Sequence, residues 1–320
     1  MYAIPLRDIA TPENFDEIAY LASNPDVKAA VASGQFASGK AHFEEFGRNE
    51  KRGQASPKNL TAARARKLSK LARSLDFELE HTIDEYGRLN FLNEAIRAET
   101  RIIDTDNISS NGYDGEMRSL IEKHKDGIIL DCGAGSRDEY YENVVNLEIA
   151  AYPSTDILAV GEHLPFKDDT FDAVFSIAVL EHVRDPFRCA AEISRVLKPG
   201  GELYCCVPFL QPLHGYPHHY FNASPQGIRR LFEDTLSIES ITVPDPVHPI
   251  WGLTWITKSW AEGLSETVRD QFLNLKISDL FSDPVTLVNQ PFCQELSEEK
   301  RFELACSTVL TARKPTPSSR

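Results

Sequence analysis

The chain has few basic residues for its length, with 34 lysines and arginines against 48 aspartates and glutamates among 320 residues. The formal charge of −14 argues against a general nucleic-acid binder, because such proteins neutralise phosphates with clustered cations. No stretch is apolar for long enough to cross a bilayer, and no basic segment with an apolar run stands near the start. The sequence therefore predicts a cytoplasmic protein with no nucleic-acid partner and no stable membrane insertion.

The six cysteines form no C-x-x-C pair and show no zinc-type spacing. Most of them lie in apolar stretches, which favours buried thiols in a reducing compartment. Hydrophobic residues make up 42% of the chain and charged residues 26%, as in ordinary soluble globular proteins. A chain of this length has room for one large or two modest domains.

The most informative stretch is residues 128–135, which read IILDCGAG. An apolar run suited to a buried strand ends at the carboxylate of Asp131 and then meets Gly133 and Gly135. Glycine lets the backbone turn tightly and approach a ligand, and open α/β sheets bind ligands at the carboxyl ends of their strands. Alone this pattern is weak evidence, because many turns contain Gly-x-Gly. It gains weight only if further strands and helices of an open α/β sheet come after it in the chain.

Strand and helix signals do come after this stretch, in a consistent order. Val144–Glu148 predicts a second strand that ends in an acid. The later signals are a third strand at 156–160, LPF at 164–166, a fourth strand at 171–176, LEHV at 180–183, a helix at 186–197, LKPGG at 197–201, and strands at 202–207, 237–243 and 307–314. This order resembles the class I S-adenosylmethionine-dependent methyltransferase family, in its branch with a type 11-like domain, over roughly 126–236 plus the last strand.

The resemblance implies an α/β fold, with a Rossmann-like doubly wound sheet of seven strands whose last strand is antiparallel. It also implies S-adenosylmethionine as the cofactor. Glu148, at the end of the second strand, would then accept the ribose hydroxyls, much as a strand-end acid does in dinucleotide folds. The other implied cofactor-binding residues are Asp131, Gly133 and Gly135 for the methionine part, Gly161, Glu162 and His163 for adenine, and Ser176 and Ile177 for the amine.

Two departures from the family pattern affect this site. Arg137 stands where the common form has its third glycine, and the span from Gly135 to Val144 is short for a crossover helix, which needs at least ~10–12 residues. We therefore expect about one turn of helix there and an exposed cofactor loop. The acid that relatives place before LPF is replaced by Val160 or Gly161, which leaves the side-chain contacts to adenine open.

Histidine is the usual general base for a hydroxyl acceptor near neutral pH. His182 follows the fourth strand, and residues 208–221 follow the fifth with three histidines in a Pro/Gly-stiffened loop. Functional residues concentrate in such loops, so we predict His214 as the base, with His219 or His182 next. No acid or cysteine completes a ligand set with the three histidines, and no metal site is predicted.

The remaining sequence predicts four regions. Residues 1–55 form a helical module that resembles short modules beside bacterial polysaccharide-biosynthesis enzymes, with a packing or partner-binding role. Residues 56–125 form a helical linker or lid, in which the basic residues of helix 62–75 face solvent around a leucine stripe. Residues 126–314 form the methyltransferase domain, with a Trp-rich helical insert at about 244–300. Residues 315–320 are predicted to be disordered.

These patterns together predict an S-adenosylmethionine-dependent methyltransferase for a small-molecule or glycan-related acceptor, at oxygen, in polysaccharide biosynthesis. The insert could cover the acceptor, form a homodimer interface or stack on a sugar ring. Two alternatives stay open at this point. One is C- or N-methylation of a quinone precursor or other metabolite, and the other is an inactive cofactor-binding scaffold.

Overall fold

The computed structural model describes residues 3–55, 60–104, 112–215 and 218–311. Two compact units divide the chain, one comprising residues 1–207 with 216–239 and the other comprising residues 208–215 with 240–320. The predicted disordered tail at 315–320 lies outside the described residues.

The first unit contains the strands and eight of the helices found in the described residues. The strands are β1 Ile4–Pro5, β2 Arg7–Ile9, β3 Gly53–Ala55, β4 Thr82–Ile83, β5 Leu89–Asn90, β6 Ile129–Cys132, β7 Glu139–Tyr140, β8 Val144–Glu148, β9 Ile157–Leu158, β10 Phe171–Ile177 and β11 Leu197–Cys206. The helices are α1 Glu17–Ser23, α2 Pro25–Ala32, α3 Gly39–His42, α4 Thr61–Leu71, α5 Glu94–Thr100, α6 Gly115–Lys123, α7 Pro186–Val196 and α8 Pro225–Phe232.

Seven strands form one sheet in the order β11-β10-β6-β8-β9-β5-β4. All neighbours run parallel except β4 and β5, which pair antiparallel. The central strands β6 and β8 are short, mostly apolar and buried up to Glu148, as expected for a parallel sheet covered on both faces. This architecture confirms the predicted Rossmann-like fold with seven strands, one of them antiparallel.

The antiparallel strand comes from a different part of the chain than predicted. It is β4, which joins β5 in a hairpin whose turn is closed by Gly87 at φ 74° and by Asp84. Residues 237–243, predicted as a strand, form none, and neither do residues 307–311; residues 312–314 lie outside the described part. Both segments are largely exposed, so their β-type sequences find no sheet partner to bury them.

The span after the glycine loop also differs from the prediction. Residues 136–143 contain no helical turn, and β7 instead pairs antiparallel with β1 near the start of the chain. Ala134, Gly135 and Arg137 are buried, so the expected exposed loop was wrong. The strand β1 pairs instead with the connection that follows the loop.

The N-terminal module forms α1, α2 and α3, the last continued by a π-helical turn at Phe43–Gly47. Its small core holds Tyr20, Val27 and Phe43. Ile18 on α1 is 81% exposed.

Helix α4 also differs from the prediction in burial. Arg64 and Lys67, predicted to face solvent, are 3% and 0% exposed. Both contact the buried carboxylate of Asp156, Arg64 at 3.2 Å and Lys67 at 2.6 Å. Burying cations in this way requires a paired anion, which Asp156 at the start of β9 supplies.

The second unit is helical in its described residues. Its α-helices are α9 Pro249–Glu262, α10 Glu266–Leu273, α11 Pro284–Leu287, α12 Pro291–Gln294 and α13 Glu298–Glu303. Leu264, Val268 and Leu296 form its small core, whereas Trp251 on α9 is 62% exposed. Across the described residues, no helix combines the length and the apolar character that crossing a membrane requires.

Candidate cofactor and catalytic site

The glycine loop follows β6 at the carboxyl edge of the sheet. Gly133 and Gly135 have φ angles of 77° and 64°, a region that side chains other than glycine enter at a cost. A Cβ on Gly133 would clash with the side chain of Val179, which follows β10. The loop therefore lies directly against the residues that follow the fourth predicted strand.

Asp131, on β6 just before this loop, is buried and accepts hydrogen bonds from Arg137 and Tyr113. Arg137 donates from Nε to Oδ2 at 2.9 Å and from Nη2 to Oδ1 at 3.0 Å, and the Tyr113 hydroxyl donates to Oδ2 at 3.0 Å. The Arg137 guanidinium also lies 4.5 Å from the centre of the Tyr113 ring. The Asp131 carboxylate thus holds donors of this chain, and the arginine that replaces the third glycine fixes the loop through an ion pair.

Glu148 ends β8 next to the loop. Its Oε2 accepts from Gly135 N and its Oε1 from Ile149 N, both at 2.7 Å. Burial raises the pKa of Glu148, and the backbone hydrogen bonds from Gly135 and Ile149 oppose that shift. These backbone donors, with that of Ala150, orient the carboxylate, which is an acceptor of the kind that neighbouring hydroxyls require.

The turn after β9 contains the three residues predicted to meet adenine. Gly161 lies so close to Cys189 that a Cβ would clash with its sulfur. Glu162 is buried, and its Oε1 accepts from Arg184 N at 3.1 Å. His163 Nε2 lies 3.1 Å from Glu99 Oε2.

Arg188 completes the contacts of this turn. It donates to His163 Nδ1 at 3.0 Å and to Glu99 Oε1 at 2.6 Å. The side chains of Glu162 and His163 therefore bind protein groups and fix the turn against α5 and α7.

Ser176 and Ile177 end β10, and the β10–β6 ladder stops one residue earlier, at Phe175. The next residue, Ala178, has a φ of 54°, and its N–H donates to Cys206 O at 3.0 Å. The left-handed backbone conformation costs an alanine roughly 1–2 kcal/mol, so it persists only where the surrounding structure imposes it. Such strained residues concentrate at functional sites. The sequence carries no signal for this residue, since alanine gives no hint of a left-handed conformation.

His182 lies in the turn that begins at Val179, because His182 N donates to Val179 O at 2.8 Å. Val179 contacts the glycine loop, so this turn brings the histidine to the cofactor edge. Its Nδ1 is 2.7 Å from the carbonyl oxygen of His218, which assigns the Nδ1 proton and leaves the lone pair of the neutral ring on Nε2. Glu181 beside it is buried, and burial raises its pKa to about 8.

The other histidines of the predicted group separate into the two units. His219 belongs to the first unit, with its ring 5.7 Å from that of His182 and its Nε2 2.8 Å from Asn222 Oδ1. His214 belongs to the second unit, where its ring lies 5.3 Å from that of Trp255. The assignment of His214 as the base stays a prediction.

Comparison with known proteins agrees with this geometry. Residues 132–205 match the family described as a methyltransferase domain, a span that includes the glycine loop, Glu148 and His182. The match confirms the family resemblance that the motifs predicted.

Several curated proteins are similar over part of this chain. A ubiquinone/menaquinone biosynthesis C-methyltransferase from Psychromonas ingrahamii is 32% identical over 97 residues, which cover 29% of this chain and 39% of that protein. A sarcosine/dimethylglycine N-methyltransferase from Halorhodospira halochloris is 26% identical over 174 residues, which cover 51% of this chain and 60% of that protein. The chain spans less than half the length of the first curated relatives that it matches, at 43%, 20% and 39%.

Among solved structures, the YcgJ protein from Bacillus subtilis is 17% identical, with a TM-score of 0.32, and the alignment covers 48% of this chain and 86% of that one.

Proposed function

We propose that this chain, whose first unit carries a methyltransferase domain of the class I S-adenosylmethionine-dependent family, methylates a small-molecule or glycan-related acceptor at oxygen. The observation that carries the proposal is Glu148, a strand-end carboxylate held in place by Gly135 N and Ile149 N beside a glycine loop. A ribose diol presents two adjacent hydroxyl donors, and this carboxylate is the matching acceptor.

The residues present fit S-adenosylmethionine, which when bound supplies a methyl group already activated by its sulfonium. Glu148 would hold the ribose, and the backbone of the loop at 133–135 would meet the methionine part. The turn at 161–163 would meet adenine through its backbone, because Glu162 and His163 already bind Arg184 and Arg188. Ser176 and Ile177 would offer backbone groups to the amine at the edge of the sheet.

We assign Asp131 an indirect part in this site. Arg137 donates to both of its oxygens and Tyr113 donates to Oδ2, so the carboxylate fixes the loop through Arg137. Arg137 accordingly takes over the shaping role of the missing third glycine, and we regard the departure from the family pattern as compatible with cofactor binding.

His182 is the best-supported general base. Its Nδ1–H donates to the His218 carbonyl, which leaves the basic Nε2 as the proton acceptor. The loop contact of Val179 places the turn of His182 at the same edge as the glycine loop. A base at this edge fits a hydroxyl acceptor, which loses its proton as the O–CH₃ bond forms and the S–CH₃ bond breaks.

The glycan-related acceptor rests on the N-terminal module, which resembles modules beside polysaccharide-biosynthesis enzymes. The curated relatives named above methylate carbon and nitrogen by their own names, so C- or N-methylation is the second candidate.

Two measurements test the proposal. Calorimetry with S-adenosylmethionine and S-adenosylhomocysteine should show binding at one site, and no binding at millimolar concentration would refute it. A panel of nucleotide sugars, oligosaccharides and quinone precursors, followed by S-adenosylhomocysteine release, then identifies the acceptor. Methylated sugar hydroxyls would support the acceptor class, whereas turnover of a quinone precursor alone would replace it with the second candidate.

A further inference from the structure

The short connection after the glycine loop, residues 136–143, has no crossover helix, yet four of its eight residues are buried. In a normal βαβ unit a helix covers the sheet at this place and fixes the loop that precedes it. Here residues 4–7, which we call the N-terminal segment, occupy the position next to the connection. Ile4 pairs with Tyr140 and Pro5 with Glu139 in an antiparallel ladder.

Two further contacts extend this pairing toward the loop. Leu6 N donates to Asp138 O at 2.7 Å, and Arg7 Nη1 lies 3.6 Å from an Asp138 carboxylate oxygen. Asp138 directly follows Arg137, the residue whose side chain binds Asp131. The N-terminal segment is therefore one residue away from the ion pair that fixes the glycine loop.

Tyr140, which lies in the same connection, is held by contacts with several other parts of the first unit. It is completely buried and packs in a small core with Leu6, Leu60 and Ala63. Its hydroxyl donates to Asp156 Oδ1 at 2.6 Å. Lys67 Nζ lies 3.6 Å from the centre of its ring.

Asp156 in turn is fixed to the sheet, since its Oδ2 accepts from Asn146 N on β8 at 3.0 Å. The loop backbone is tied to the same strand region, because Arg137 N donates to Ser154 Oγ at 3.0 Å and Asn146 Nδ2 donates to Ser154 O at 2.8 Å. Tyr140 thus links the N-terminal segment to the groups that hold the loop.

We propose that the N-terminal segment and Tyr140 replace the absent crossover helix and are positioning elements for the cofactor loop. Cofactor affinity then depends on residues that precede the methyltransferase domain by more than a hundred positions. Ordering a loop before binding removes an entropic cost from the binding step, so loss of this contact weakens affinity. The expected loss of cofactor affinity rests on the proposed function, whereas the claim that these residues order the loop does not.

The test uses the full chain and two readouts. Hydrogen exchange of the Gly135 and Arg137 amides reports loop order, and calorimetry with S-adenosylhomocysteine reports affinity. Leu6→Ala removes packing on Tyr140, and Tyr140→Ala removes the anchor. Tyr140→Phe keeps the ring and loses only the hydrogen bond to Asp156. Val27→Ala is the matched control, because it removes buried methyl groups from the module core without contacting the loop.

Leu6→Ala and Tyr140→Ala should speed exchange of these amides and weaken S-adenosylhomocysteine binding by about tenfold, the factor that corresponds to one ordered contact. Tyr140→Phe should recover most of the wild-type behaviour, and Val27→Ala should change neither readout. Unchanged exchange in both alanine variants, or an equal effect of Val27→Ala, would overturn the inference. Leu6→Ala carries the test if Tyr140→Ala does not fold. A wild-type chain that fails to bind would refute the proposed function, while the exchange data would still decide loop order.

Discussion

Arg137 and Asp131 form a buried bidentate ion pair inside the glycine loop, with donor–acceptor distances of 2.9 and 3.0 Å. The Tyr113 hydroxyl donates to the same carboxylate, and the guanidinium lies over the Tyr113 ring. Arginine fills the position of the third glycine in the expected pattern. Charge and aromatic contact hold the loop in this chain.

The ion pair makes a first prediction about stability. Arg137→Met removes the guanidinium and leaves Asp131 as an uncompensated buried charge, which should lower the free energy of unfolding by about 3–5 kcal/mol. Adding Asp131→Asn should recover part of that loss, with a coupling of about 0.5–3 kcal/mol in a double-mutant cycle measured by urea unfolding. Additive effects of the two substitutions would mean that the pair does not act as a unit.

The buried cluster around Asp156 leads to a second prediction about stability. Asp156→Asn leaves the buried cations Arg64 and Lys67 without their counter-charge and should cost about 3–5 kcal/mol. Asp168→Asn is the control, since the exposed pair of Asp168 with Arg195 should contribute no more than about 1 kcal/mol. Equal unfolding midpoints for the two variants would contradict the burial of this cluster.

Glu181 predicts a pH dependence. Burial raises its pKa from 4.5 to about 8, so between these values the folded state holds a proton that the unfolded state releases. The contribution of Glu181 to stability should therefore fall as pH rises from about 5 to about 8. Glu181→Gln should remove this slope, whereas the exposed control Glu116→Gln should keep it. Parallel urea midpoints for wild type and Glu181→Gln across this range would rule out the shift.

If His182 is the general base, its replacement should slow turnover without weakening cofactor binding. Asn at this position can still donate to the His218 carbonyl but has no basic Nε2. His182→Asn should lower kcat by about 10²–10⁴-fold while S-adenosylhomocysteine affinity stays near wild type. His214→Asn, measured in parallel, tests the base predicted from the sequence. Full turnover in His182→Asn would remove the assignment proposed from the structure.

The sequence predicted the parts of the fold in which local pattern and environment agree. Val144–Glu148 has the bounds expected from an apolar run with a strand-end acid, and the Pro-initiated helix Pro186–Val196 ends one residue before its predicted end. Residues 237–243 have a strand-like sequence but no partner strand, and pairing is not encoded locally. The β1–β7 ladder joins residues far apart in the chain, so no window of sequence could show it.

The candidate site was predictable to a similar extent. Glu148 and the two glycines are visible as a strand end followed by a turn. The partners of Asp131, the burial of Lys67 and the left-handed Ala178 depend on tertiary contacts that composition and periodicity do not report. The basic residues on α4 indicated a solvent-exposed face. The prediction was wrong because Asp156, the buried counter-ion of Lys67, lies 89 positions away and the helix sequence does not reveal it.

The central claim is that Glu148 binds the ribose of S-adenosylmethionine, and one calorimetric titration tests it most directly. Wild type, Glu148→Ala and the surface control Glu142→Ala are titrated with S-adenosylmethionine under the same conditions. We predict that Glu148→Ala binds at least about tenfold more weakly, since it loses charge-assisted hydrogen bonds to two hydroxyls, while Glu142→Ala binds like wild type. Wild-type affinity in Glu148→Ala would contradict the proposed cofactor site.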